Sequence, residues 1–129
     1  MDNSLCICGS NKRFKQCCEP LLTGKSYAKT PVKLMRSRYS AYALGGYGQY
    51  LKNTWSADVR HTLDEAELSN RSLIWCGLDV ISKSQKHDEA FVTFKARFIG
   101  ADGVEQVHHE ASEFHRVMGR WFYLRGDIF

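Results

Sequence analysis

Much that would point to a familiar function is missing from this 129-residue sequence. It has no apolar run near the roughly 18 residues that span a bilayer, so no membrane segment and no membrane partner are expected. The opening residues, MDNSLCIC, show no basic stretch followed by an apolar one. No signal peptide is read there, and a cytoplasmic location is expected. There is no internal repeat and no low-complexity tract. No phosphate-cradling glycine loop and no nucleophile motif occurs, which removes the strongest sequence arguments for an enzyme. What remains is 43% hydrophobic and 25% charged. That is ordinary globular composition, in a chain long enough to bury a core without covalent staples.

The cysteines are few but crowded. Four of the five lie within CICGSNKRFKQCC, at Cys6, Cys8, Cys17 and Cys18. In a reducing compartment such a cluster binds metal more readily than it forms disulfides. Four thiolates complete the tetrahedral shell of one zinc ion and leave no open position, so the site is structural rather than catalytic. A head this small would draw its folding energy from the metal. The alternative is a disulfide pair. Cys76 stands apart, at a strand position shared with Ile74 and Leu78, and reads as a small buried hydrophobe.

Charge is as uneven as cysteine. Through Arg38 there are eight Lys and Arg against Asp2 and Glu19, a net of +6, whereas the remainder carries a net of −2. Lys12, Arg13 and Lys15 sit between the two cysteine pairs, clustered around Phe14. This loop is the candidate partner-binding surface, suited to an acidic protein or ribosomal partner, or to nucleic acid through phosphate contacts and stacking. The bland alternative is a solvated surface. The spacing excludes a groove-reading finger, which needs a twelve-residue span and paired histidines.

Periodicity divides the rest. Residues 1–22 form the cysteine head and 23–30 a connector. Residues 31–129 form an α+β domain. Thr30-Pro31 starts a helix, with Thr as cap and Pro at the first helical position. Val32, Met35, Tyr39 and Tyr42 recur at helical spacing until Gly45-Gly46 ends it. A short helix runs from Tyr47 to about Thr54, followed by a loop with an acidic turn over Leu63–Leu68. From Leu73 the period is two. Ile74, Cys76, Leu78 and Val80 alternate with Trp75, Gly77 and Asp79, and Ala90, Val92, Phe94, Ala96 and Phe98 alternate with polar residues. A polar strand over Val104–Met118 and a last strand over Trp121–Arg125 follow. Helices first and an antiparallel meander afterwards place the helices on one face of the sheet.

The motifs also resemble known families. CICGSNKRFKQCC is similar to the SEC-C motif, usually close to CPCGSGKKYKKCC, with Ile7 in place of Pro and Asn11 in place of Gly. Asn tolerates a left-handed backbone better than other side-chain-bearing residues, so the second change is mild. That zinc module is best known at the C-terminus of the translocation ATPase SecA, where it implies binding to a partner protein and the ribosome. LMRSRYSAYALGGYGQYLKNTW and HHEASEFHRVMGRWFYLRGDI resemble the two signature stretches of the YchJ family of bacterial proteins. That resemblance implies a nuclear-transport-factor-2-like (NTF2-like) domain, with helices packed in the mouth of a curved sheet around a pocket. It implies one structural zinc and no particular reaction.

Within such a pocket, His109, Glu110 and Arg36 are the candidate catalytic residues. His108 or His109 beside Glu110 could do acid–base work, although alternation puts His108, Glu110, Ser112 and Phe114 on one face and His109 on the other. Arg36, Tyr39, Trp75, His109 and Glu110 are the candidate ligand residues. Arg36 and Tyr39, three apart on a helix, and Arg38 and Tyr42, four apart, can each touch and could form an anion or carboxylate site near the mouth of the fold. Alternatively an arginine there bonds strand carbonyls or a buried Glu such as Glu110, Tyr39 and Tyr42 are core, and the histidines lie on a wet strand face or pair with a Glu on a neighbouring strand. Three functions compete, in this order: an interaction protein with a zinc-stapled head, a small enzyme, and a nucleic-acid binder.

Overall fold

The computed structural model describes residues 4–70 and 73–129. After a single 3-10 turn at Phe14–Gln16 come five helices: α1 (Glu19–Leu22), α2 (Pro31–Leu44), α3 (Gly48–Thr54), α4 (Ala57–Arg60) and α5 (Glu65–Ser69). Four strands follow: β1 (Ile74–Lys86), β2 (Glu89–Ile99), β3 (Glu105–Val117) and β4 (Arg120–Ile128). The strands form one antiparallel sheet in the order β1-β2-β3-β4. The architecture is the expected α+β one, helices packed on a curved meander. No helix among the described residues is long and apolar enough to cross a membrane.

Local chemistry sets the helix ends. Thr30 Oγ1 accepts the Lys33 amide at 3.1 Å, Pro31 occupies the first turn, and Gly45 (φ 75°) closes α2. That φ is open to glycine and strained for other residues. The β3–β4 hairpin turns on Met118 and Gly119, both at positive φ, which matches the twist of the flanking strands.

α2 is buried nearly all round. Leu34, Met35, Ser37, Arg38, Tyr39, Ser40, Ala41 and Ala43 are all buried. Such a helix has no polar face to contrast with an apolar one. Its serines satisfy themselves inward: Ser37 Oγ donates to Leu34 O at 2.7 Å, and Ser40 Oγ donates to Cys18 Sγ at 3.2 Å. The cysteine head supplies one of the surfaces around α2. Cys6, Cys8, Cys18, Leu21 and Leu22 belong to the same buried cluster as Leu34, Met35, Leu51 and Trp121. The connector is tied down as well, because Ala28 is buried and Tyr27 lies under the Arg120 guanidinium, 3.8 Å from ring centroid to Cζ.

The sheet departs from simple alternation. The β1–β2 register shifts between Trp75 and Gly77 and again between Val80 and Ser82. These bulges bend the strand and reset which side chains face inward. Trp75 therefore packs against the core, while Ile74 and Cys76 are exposed. Cys76 is thus not the buried hydrophobe that plain alternation predicts. The last strand also runs three residues past Arg125, and residues 57–60, read as loop, form a helical turn.

Candidate metal centre and ligand cavity

The head folds as a knuckle. Leu5 pairs with Arg13 across a short antiparallel bridge, and the Cys6 amide donates to Lys12 O at 2.8 Å. Gly9 (φ 80°) and Asn11 (φ 66°) take the left-handed turns that fold the chain back. The four Sγ atoms all lie within 4.8 Å of one another, with Cys8–Cys17 at 3.6 Å and Cys17–Cys18 at 3.9 Å. Sulfurs about 2.3 Å from a tetrahedral ion would be roughly 3.8 Å apart, so the spacing fits. Among the described residues these four can hold one metal ion. Thiols this close compete for protons. Hydrogen bonds from Cys18 and Cys6 hold Cys8 far below the usual thiol range, and those to Cys6 and Cys8 push Cys18 far above it. A cation at the centre would relieve that competition. Ser10 Oγ lies 3.2 Å from Cys17 Sγ, so hydroxyls approach the sulfurs from both sides of the cluster, Ser10 from the loop and Ser40 from α2.

Arg36 belongs to this centre and not to a pocket. Its Nη1 donates to Cys8 O at 2.6 Å, joining α2 to the knuckle. Lys12, Arg13 and Lys15 are exposed on the loop between the cysteine pairs. Phe14 is half-buried and packs against the core, so the basic cluster has no fully free aromatic at its middle.

A cavity of about 350 Å³ lies between α2 and the sheet. Of the candidate ligand residues, Tyr39, Trp75 and Glu110 line it, whereas Arg36 and His109 do not. His109 points to the opposite face, where its ring meets Phe129 at 4.7 Å. Their places are taken by neighbours, Arg38 and His108. Residues two apart on a helix, or adjacent on a strand, face nearly opposite ways. The walls are aromatic: Trp75 meets Tyr39 at 6.0 Å and Phe98 at 5.0 Å, and Trp55 meets Tyr123 at 4.3 Å.

Glu110 is the polar floor. It accepts hydrogen bonds from Ser112 Oγ (2.6 Å) and Tyr123 Oη (2.7 Å), and His108 Nε2 lies 2.8 Å from Oε1. Burial raises its pKa, but the three hydrogen bonds outweigh burial and hold the carboxyl below its ordinary value. Tyr123 moves the other way, pushed far up by burial and by Glu110. Gly126 makes room for this network: a Cβ there would sit 2.1 Å from Glu110 Oε2 and 2.7 Å from Tyr123 Oη. No pattern in the sequence points to that requirement.

A family model described as YchJ, middle NTF2-like domain, matches residues 30–126, and a SEC-C motif model matches residues 3–20. The chain belongs to the YchJ family. Two relatives are named UPF0225 proteins. The one from Serratia proteamaculans is 39% identical over 127 residues, covering 95% of this chain and 82% of the relative. The one from Geobacter sulfurreducens is 38% identical over 128 residues, covering 95% and 78%. A solved structure of a SEC-C motif containing protein from Rhodopseudomonas palustris superposes with a TM-score of 0.88 at 38% identity. It covers 96% of this chain and 98% of that one. The YchJ architecture thus joins a cysteine cluster able to hold a metal to an NTF2-like cone.

Proposed function

We propose that this YchJ-family chain is a zinc-binding interaction protein of the cytoplasm. Its SEC-C head docks an acidic protein or ribosomal surface, and the NTF2-like core serves as scaffold or small-ligand pocket. The observation that carries this reading is the placement of Lys12, Arg13 and Lys15. All three are exposed on one loop whose backbone is fixed at both ends by the metal knuckle. Zinc is the ion that four thiolates with no open position select. A rigid, charged loop needs little ordering on binding, which favours docking by electrostatic complementarity.

Affinity capture from bacterial lysate tests the reading. Wild-type protein is compared with the Lys12→Glu, Arg13→Glu, Lys15→Glu triple variant, with and without nuclease. Capture of an acidic or ribosomal partner that weakens in the triple variant and with rising salt, at unchanged zinc content, is expected. Exposed charges are screened over about 8 Å at physiological ionic strength. Loss of all capture on nuclease treatment would assign the loop to nucleic acid instead. Identical capture by both proteins would reduce the head to a structural staple.

One observation favours a second reading, a small enzyme. His108 and Glu110 form a hydrogen-bonded pair on the cavity wall, an arrangement suited to proton transfer. Turnover lost in His108→Gln and retained in His109→Gln would select it.

A further inference from the structure

Hydrogen-bonding capacity around the cavity is lopsided. The acceptor side is full, because both Glu110 oxygens already have donors. The donor side is not. Arg38 is buried at 6% exposure, and both of its hydrogen bonds, to Leu51 O at 2.8 Å and to Thr54 Oγ1, leave from Nη1. Among the described residues no carboxylate lies within ion-pair distance of it, and Glu110 acts on it only from beyond that distance. Its guanidinium lies over the Trp55 and Tyr123 rings at 5.2 and 4.8 Å, contacts that stabilise a cation but supply no acceptor. Two further donors from cavity-lining residues, Trp55 Nε1 and Tyr39 Oη, are buried without a hydrogen-bond partner. The Gly77 amide approaches the Tyr39 oxygen, but the hydroxyl proton has no acceptor.

Buried donors without acceptors are costly, and a buried cation without an ion-pair partner more so. Arg38 and Trp55, which lie together on the α3–β4 side of the cavity, therefore call for a group that brings negative charge and lone pairs, whereas Tyr39 lies on the β1 side against Trp75. The remaining walls, Trp75, Phe94, Phe98 and Phe114 among them, call for an apolar body. A cavity of about 350 Å³ is the size of a small-molecule site. We propose that the YchJ cavity binds a small amphipathic carboxylate, with its head on Arg38 and Trp55 and its apolar body among the aromatic walls toward Tyr39 and Trp75. Repulsion from Glu110 is limited because that carboxylate is held by its own three donors. The proposal goes beyond the docking reading and involves none of the head's residues.

Titration calorimetry of the full zinc-loaded chain tests it, with benzoate, 2-naphthoate and octanoate as probes and their neutral amides as controls. At least one carboxylate is expected to bind, with its amide about tenfold weaker or worse, the factor lost with one charge-assisted hydrogen bond. Arg38→Met is expected to abolish the preference for the charged form. Arg38 also anchors α3, so Trp55→Phe, which keeps an aromatic side chain and removes the indole donor, provides a variant that need not disturb folding. It is expected to weaken the carboxylate several-fold and leave the amide unchanged. The Lys12→Glu, Arg13→Glu, Lys15→Glu variant is expected to bind the probe as wild type does, so failure here and failure of the docking reading are distinguishable. Equal affinity for acid and amide, unchanged binding in folded Trp55→Phe, or no binding of any of the three carboxylates at millimolar concentration would each overturn the proposal.

Discussion

Arg36 of α2 donates a 2.6 Å hydrogen bond to the carbonyl oxygen of Cys8, 28 residues earlier in the chain. A cation from the NTF2-like core thus holds the backbone of a cysteine in the cluster able to bind metal, which ties the head to α2. Arg36→Met keeps much of the stem and removes the donor. It should destabilise the protein by about 1.5–3 kcal/mol, the scale for a hydrogen bond that involves a charged group. It should also speed metal loss to a chelator. Chemical denaturation and a chelator time course check both, and an unchanged release rate would mean that α2 does not brace the knuckle.

Residues 1–22 have an identifiable boundary in sequence but share their core with the rest. Leu21 and Leu22 are buried in the cluster around α2, and burying a leucine side chain contributes about 1.5–3 kcal/mol. Removing residues 1–22 should therefore cost at least about 3 kcal/mol and expose apolar surface on α2. Dye binding and the unfolding midpoint of residues 23–129 provide the check. A truncated chain as stable as the full one would show that the head is an independent unit.

The Glu110 carboxyl lies below its ordinary pKa of 4.5, because hydrogen bonds from Ser112, Tyr123 and His108 outweigh burial. A carboxyl depressed in the folded state contributes stability that is present above the unfolded pKa and lost as pH falls through the folded one. The denaturation midpoint of wild type should thus fall more steeply between about pH 5 and pH 3 than that of Glu110→Gln. Protonation of the cysteine cluster affects both proteins, so the difference between them isolates Glu110. Parallel pH profiles would contradict the assignment.

The helix and strand pattern was legible in the sequence because cap, glycine and period agree in α2 and the meander. Finer placement failed where one local event changes the outcome. The bulge between Trp75 and Gly77 turns Trp75 inward and exposes Ile74 and Cys76, and the one hint of it, a glycine inside a strand, does not say how the faces reset. Arg36 and Arg38 lie on nearly opposite sides of a helix buried all round, so periodicity could separate them but not say which meets the sheet. His108 was within reach. It shares a strand face with Glu110, Ser112 and Phe114, and Phe114 is 1% exposed. A large aromatic marks the inner face, and that signal would have selected His108 over His109. The cysteine cluster was the most legible feature, since spacing alone brings four sulfurs together and the fold only has to brace them.

The most direct test of the account is elemental analysis of fresh, reduced protein beside Cys17→Ser and Cys76→Ser. About one zinc per chain is expected in wild type and in Cys76→Ser, since Cys76 lies outside the four-sulfur cluster. Cys17→Ser should lose most of the metal and melt at a lower temperature, because metal binding supplies folding energy to the head. Wild-type protein that carries no metal, or a Cys17→Ser variant that keeps its metal and its melting temperature, would contradict the zinc-stapled head on which the proposed docking function rests.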